Sequence, residues 1–359
     1  RGAYGGVRAT AYDATLGRMH VRNNSFTGSL SGPSTSQVAA GPLYFAEVRS
    51  NTVDSVTGSG IVVWPADSVL VRNNTIGTMV GDWAIYVDDV WRALIDSNTI
   101  GGSPLSQAGG IAALGGDSLY IRWNNVSNLA ASPSIPVSGL LLGGGWYMTG
   151  SAVYNNRFIN GSVPGAVVLA GAVGSLDTNL FADNSAPGLI LHEVVSGTHN
   201  SFLRNTYGVI DSLGFGANFQ ANNFEGNTFG LLGLGEWIDA SNSWWGDTLG
   251  PTCASGCDLA SVGDSVSFPV NYAPFATVQV TPALFASPAA VMALEALVAA
   301  APSRADATVV RTQIPLRTAA NSTGAGAVLR ESRPASIADE HGLATAVGRP
   351  AGPRRIRWH

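Results

Sequence analysis

Lysine does not occur in this chain of 359 residues: all 19 basic side chains are arginine. That absence removes the amine that most readily becomes a catalytic base when buried. Charge of either sign is scarce, at 12% of the chain, so surface ion pairs are too few to organise the fold. The charge is also uneven, with 10 Arg against 19 acids in residues 1–275 and 9 Arg against 5 in 276–359. An acidic main body disfavours nucleic acid as a partner, because phosphate contacts dominate such affinity. No run of 18 apolar residues occurs, so no membrane span is expected. Cysteine is limited to Cys253 and Cys257, in the stretch CASGC. Two thiols without a nearby histidine are too few for a four-ligand zinc site. A small disulfide loop in an exported protein is the expected reading. The chain starts at Arg1, which reads as a mature form or a fragment.

What the chain has instead is glycine, 44 residues of it, and a recurring asparagine. VRNNSFTG at 21–28 returns as VRNNTIG at 71–77. Aligning on the recurrence gives Asn24, Asn51, Asn74, Asn98, Asn125, Asn156, Asn179, Asn205, Asn223 and Asn242, in steps of 27, 23, 24, 27, 31, 23, 26, 18 and 19 residues. Beside it runs a series of short apolar strands, usually opened by glycine: GIVV at 60–63, GIAAL at 110–114, GLLL at 139–142, GAVVL at 165–169 and GLIL at 188–191. Self-similarity at this period predicts a solenoid. The runs are too short and too β-branched for helices. Two or three short strands per turn, stacked about 4.8 Å apart, fit instead. Asparagine suits the bends because it tolerates the left-handed conformation and its amide can bond to the same amide one coil away. These asparagines are therefore read as structural.

On those residues the chain resembles the right-handed parallel β-helix, or pectin-lyase-like, superfamily of bacterial type. The resemblance covers roughly 1–275 and is strongest in IDASNSWWGDTLGPTC at 238–253 and SVSFPVNYAPF at 265–275. Both look like the closing coil of bacterial β-helix repeat proteins, and Trp244 and Trp245 are expected to cover the last strand edges. The expected fold is all-β: a right-handed parallel β-helix of about nine or ten coils over 1–275, closed at 238–275, followed by an irregular segment at 276–359. In that segment SPAAVMALEALVAAAPSR at 287–304 has helical spacing. VQVTP at 278–282 and PASIADEHGLATAVG at 334–348 resemble parts of a bacterial immunoglobulin-like repeat. The whole stretch is expected to be a surface module remnant, immunoglobulin-like or disordered.

In enzymes of this superfamily, substrate lies along the outward face of one parallel sheet. With Ile61, Ile85, Ile111, Leu140, Val167, Leu189 and Val209 read as pointing inward, alternation gives two outward columns. The first is Val62, Tyr86, Ala112, Leu141, Val168, Ile190, Ile210 and Leu232. The second is Trp64, Asp88, Leu114, Gly143, Ala170, His192, Ser212 and Leu234. Asp88 and His192 are the only catalytic candidates in them, and at four coils apart, about 19 Å, they cannot form a dyad. The Asn-Thr-Asp, Asp-Asp and Gly-His-Gly motifs of polygalacturonases are not found, nor is the Trp-Ile-Asp-His of pectate lyases.

Smaller clusters remain. Asp67, Asp89 and Asp117 sit in similar turns of consecutive coils, where stacked carboxylates invite calcium; aspartate also starts turns without any metal. Arg22, Arg49, Arg72 and Asp96 fall two residues before the recurring asparagine, and an exposed Arg72–Asp96 pair is expected there. His192, Glu193 and His199 share one coil, with a solvated turn as the simpler reading. Trp64, Trp83, Tyr86 and Trp91 lie on two adjacent coils and are candidates for stacking on sugar rings. The expected function is a non-catalytic surface or matrix scaffold, secreted or at the cell surface, with a polysaccharide or other cell-envelope component as partner. No cofactor, or calcium alone, is expected. The alternative is a carbohydrate-active enzyme: a polysaccharide lyase, epimerase or glycosidase.

Overall fold

The computed structural model describes residues 7–10, 18–27, 38–41, 43–101, 107–116, 118–131, 137–143, 148–169, 172–193, 195–213, 216–253 and 260–281. These residues contain strands and turns and no helix. Three long sheets run along the chain, of eleven, eleven and nine strands, each with neighbours drawn from successive coils. One coil shows the plan. Ile61–Val63 lies in sheet 1, Ala66–Arg72 in sheet 2 and Thr75–Ile76 in sheet 3, after which Met79–Asp88 returns to sheet 1. Pairing within the sheets is parallel throughout, as in Ile85 with Ile61 and Ile111. This is the all-β solenoid the periodicity implies, and nine coils supply a strand to sheet 3.

The core is built from columns in register. In sheet 1 the inward column is Ile61, Ile85, Ile111, Leu140, Ala166, Leu189, Val209 and Leu231, all essentially shut from solvent. Ala166, not Val167, holds the inward place, so the expected outward column is corrected by one residue there. Val167 lies level with Leu141 and Ile190 on the outward side, while Val168 is in the core. Ala170 lies outside the described residues. A one-residue slip reverses faces because side chains alternate with period two.

In sheet 3 the inward column passes from Val53, Ile76, Ile100 and Val126 to Phe158, Phe181, Phe202 and Phe224. The four phenyl rings stack at 5.3, 5.0 and 5.1 Å. Trp245, fully buried, stacks on Phe224 at 4.5 Å and closes the row, whereas Trp244 is only half-buried and reaches Glu225 at 3.4 Å. The glycines that open sheet 1 strands make room for this row. A Cβ on Gly165 would lie 2.5 Å from the Gly188 carbonyl and 2.8 Å from Phe181, and one on Gly188 2.8 Å from the Gly208 carbonyl.

The turn between sheets 2 and 3 explains the paired asparagines. The first residue of each turn is left-handed: Asn23, Ser50, Asn73, Ser97, Trp123, Asn155, Thr178, His199, Ala221 and Asn242 all have φ between 51° and 59°. The next residue forms an amide ladder, buried from Asn51 onward, each Nδ2 donating to the Oδ1 one coil on. It runs Asn24, Asn51, Asn74, Asn98, Asn124, Asn156, Asn179, Asn200 and Asn222, at 2.9–3.1 Å. Ser243 ends it, its Oγ accepting from the Asn222 backbone N–H at 3.1 Å. Four expected members are therefore corrected. Asn125 and Asn223 lie one residue later, in sheet 3 strands. Asn242 is the exposed left-handed residue before Ser243. Asn205 belongs to a second ladder at the turn between sheets 3 and 1, running Asn184, Asn205, Asn227 and ending on Asp264.

Chain beyond 275 continues along the solenoid: Ala276 N–H donates to Ser243 at 2.9 Å, and Val280 N–H to Asn223 Oδ1 at 2.7 Å. The helical and immunoglobulin-like readings of 287–304 and 334–348 lie outside the described residues. Cys253 is disulfide-bonded.

Candidate functional site

Asp88 stands at the edge of sheet 1, where Tyr86 Oη donates to its Oδ2 at 2.8 Å and the Asp89 N–H to its Oδ1 at 2.8 Å. Burial, followed by the Asp88 hydrogen bond and charge, pushes the Tyr86 hydroxyl up to about 12. Asp88 is thus a held acceptor, and His192 stands several coils away along the same edge. The two do not meet.

Of the four aromatic candidates, Trp64 and Trp91 are exposed, at 55% and 61%. Tyr86 is half-buried by its contact with Asp88. Trp83 is buried, its ring lying so close over Gly109 that a Cβ there would meet it. Trp123 is a third exposed indole, on the coil after Trp91, with the Arg122 guanidinium 4.5 Å above its ring. Its left-handed turn position gave no sequence signal of exposure.

The expected acidic cluster does not line up. Ala66 pairs with Val90 and Ser68 with Arg92, which sets Trp91, not Asp89, level with Asp67. Asp89 is a left-handed corner residue at φ 48°, and Asp117 lies outside the described residues. Among the described residues no group of three His, Cys, Asp or Glu could hold a metal. His199 is likewise a left-handed corner residue, its N–H bonded to the Ala221 carbonyl.

The charged face is on sheet 2. There the inward column is Val21, Val48, Val71, Ile95, Ile121, Val153 and Leu176. The residues after them form the outward row Arg22, Arg49, Arg72, Asp96, Arg122, Tyr154 and Asp177. Arg72 Nε lies 3.0 Å and Arg122 Nε 3.4 Å from the two oxygens of Asp96, and Asp96 has no solvent exposure. The Arg72–Asp96 contact is correctly paired by sequence, but it is not the exposed pair expected. Arg72 is one-third exposed and Arg122 stays beside the carboxylate, so losing Arg72 costs less than the about 3–5 kcal/mol of breaking a fully buried pair, though more than the well under 1 kcal/mol of a surface pair.

At the other end of this row Glu47, 4% exposed, accepts from Arg22 Nε at 2.9 Å and contacts His20 Nδ1 at 2.7 Å. Burial would raise the Glu47 carboxyl, yet the Arg22 and His20 contacts together hold it below its ordinary value. Between the two clusters stands Arg49, exposed and with no side-chain partner among the described residues. Sequence spacing aligned these arginines. That alignment could not say which face of which sheet they occupy.

A different group sits near the C-terminal end of sheet 1. Ser212 Oγ is 2.6 Å from His192 Nδ1 and 3.0 Å from the Leu191 carbonyl. Burial holds the His192 imidazole below its ordinary value, and the charge of Asp211 opposes that shift. Leu213 and Leu234 beside them are 54% and 60% exposed.

Residues 35–224, a little over half of the chain, match the family model described as right handed beta helix region. No curated protein and no solved structure matches the chain.

Proposed function

The chain belongs to the right-handed β-helix family, and from that premise we propose that it is a surface or matrix scaffold that binds an acidic glycan without cleaving its glycosidic bonds. The observation that carries this reading is Arg49, an exposed guanidinium with no side-chain partner among the described residues, in register between Arg22 and Arg72. Successive coils are about 4.8 Å apart, and like charges stacked directly opposite each other are destabilising. A carboxylate or sulfate on a sugar relieves that repulsion, and the planar guanidinium fork suits it. Trp64, Trp91 and Trp123, exposed on three consecutive coils, supply apolar faces for sugar rings. The first outward column of sheet 1 is apolar apart from Tyr86 and the second holds Asp88 as its one carboxylate among the described residues, which leaves no pair of converging carboxylates for glycosidic hydrolysis there. An exported setting is part of the proposal, and the disulfide-bonded Cys253 supports it.

The test is binding of the whole chain to polygalacturonate, a sulfated glycan and a neutral glucan, by titration calorimetry at low and high salt. Salt-sensitive binding to the acidic glycans, lost in Arg49→Glu and weakened in Trp91→Ala, is expected. Equal affinity for the neutral glucan, or an unchanged Arg49→Glu variant, overturns the reading. Unsaturated or reducing-end products from the same mixtures would establish the lyase or glycosidase reading in its place.

A further inference from the structure

We propose that Ser212 and His192 form a nucleophile and base that hydrolyse acyl esters carrying an apolar acyl group. The two residues come from successive coils: Leu191 pairs with Asp211, which sets His192 level with Ser212 at the edge of sheet 1. Their contact, Ser212 Oγ to His192 Nδ1 at 2.6 Å, is within the reach a general base needs for a hydroxyl proton. Neither side chain is fully exposed, so the contact is partly shielded from competing water.

The imidazole is suited to the role. Burial favours its neutral form, which accepts a proton, while the nearby Asp211 charge favours the imidazolium that forms once it has done so. That is the electrostatic arrangement that activates a serine hydroxyl. The Ser212 hydroxyl also donates to the Leu191 carbonyl at 3.0 Å, and the reaction uses the tautomer whose Nδ1 carries no proton, to which the hydroxyl turns.

The substrate class follows from the rim. Asp211 pairs with Gly233, so Leu234 lies one coil beyond Ser212 at the same level, and Leu213 follows Ser212 in the chain. Both leucines are more than half exposed. An apolar acyl group covers them, and a charged one does not.

The step balances with water as the only co-reactant. Ser212 Oγ attacks the acyl carbonyl carbon as its proton passes to His192 Nδ1. The ester C–O bond then breaks, and the alcohol leaves with that proton. Water adds to the acyl carbon, its proton again going to Nδ1, and the carboxylic acid departs as Ser212 regains its proton.

The experiment uses the full chain with p-nitrophenyl acetate, butyrate and octanoate, and in parallel with a fluorophosphonate probe located by mass spectrometry. Labelling at Ser212 is expected, with turnover rising from acetate to the longer esters and falling at least about 100-fold in Ser212→Ala and in His192→Gln. Melting curves of both variants check folding. Ser212→Cys, which keeps a nucleophile of similar size, is expected to retain an acyl-enzyme burst. Hydrolysis surviving in folded Ser212→Ala, labelling without turnover of any ester, or no labelling of the folded parent each overturns the proposal.

Discussion

Asn98 donates its Nδ2 to Asn124 Oδ1 at 2.9 Å, while Asn125, next to Asn124, keeps a buried Oδ1 with no partner among the described residues. Two neighbouring asparagines thus have unequal roles, set by the direction each side chain takes from the turn. Asn98 also donates to the Val71 carbonyl and accepts from both the backbone and the side chain of Asn74. Asn98→Ala leaves several of these buried groups unsatisfied, and about 2–4 kcal/mol of stability is expected to be lost. Asn125→Ala is expected to cost under about 1 kcal/mol. Chemical unfolding midpoints of the two variants measure the difference, and equal losses would refute the ladder assignment.

Gly165 is expected to tolerate no side chain. Its Cβ would meet the Gly188 carbonyl at 2.5 Å and Phe181 at 2.8 Å, with a backbone strand on one side and a stacked ring on the other. Gly165→Ala should destabilise by about 1–3 kcal/mol or more through overpacking. Gly101→Ala is the control, because its Cβ would find nothing nearer than Ser127 Oγ at 3.9 Å. A near-neutral Gly165→Ala would show that the glycine column does not set the spacing of the phenyl row.

Ala221 occupies the left-handed corner position at φ 54°, a conformation that costs a residue with a Cβ about 1–2 kcal/mol. Replacing it with glycine removes that cost but adds about 0.4–1 kcal/mol of unfolded-state entropy. Ala221→Gly should therefore raise stability by roughly 0.5–1 kcal/mol, seen as a higher unfolding midpoint. Destabilisation would contradict the corner geometry.

Asp264 ends the second ladder, accepting from Asn227 Nδ2 at 2.6 Å and from its backbone N–H at 3.1 Å. Burial is the largest influence on its carboxyl and pushes it to about 6, against opposing hydrogen bonds from Asn227. The folded state therefore holds a proton that the unfolded state releases between about pH 4 and pH 6. Stability from this group is present below that window and declines as pH rises through it, by at most about 2–3 kcal/mol. Asp264→Asn keeps an acceptor and removes the charge, so its midpoint should change less between pH 4.5 and pH 7.5 than the parent's. Parallel pH profiles for both proteins would sink the prediction.

Much of this was legible in the residues themselves. The period of the asparagines and the short apolar strands point to a parallel solenoid, because repeats of this length stack on their neighbours and these strands are too short for helices. Glycine before most sheet 1 strands was legible as a mark, though the phenyl row that crowds Gly139, Gly165, Gly188 and Gly208 was not. In VRNN at 21–24 and 71–74 the order of roles is written plainly once known: an inward valine, an outward arginine, a left-handed asparagine and a ladder asparagine.

What tertiary structure alone decided is which coil aligns with which, and on which face. Coils differ in length, from a ladder step of 21 residues to one of 32, so counting along the chain drifts by a residue. With side chains alternating at period two, that drift moves a residue to the opposite face. It displaced Asn124 by Asn125 and Ala166 by Val167, and it left the charged face of sheet 2 and the Ser212–His192 contact out of view. The sequence by itself determined the repeat, since each coil carries its own strand and turn chemistry. The register between coils, and every site that depends on it, is a non-local choice settled by how the stacked columns pack.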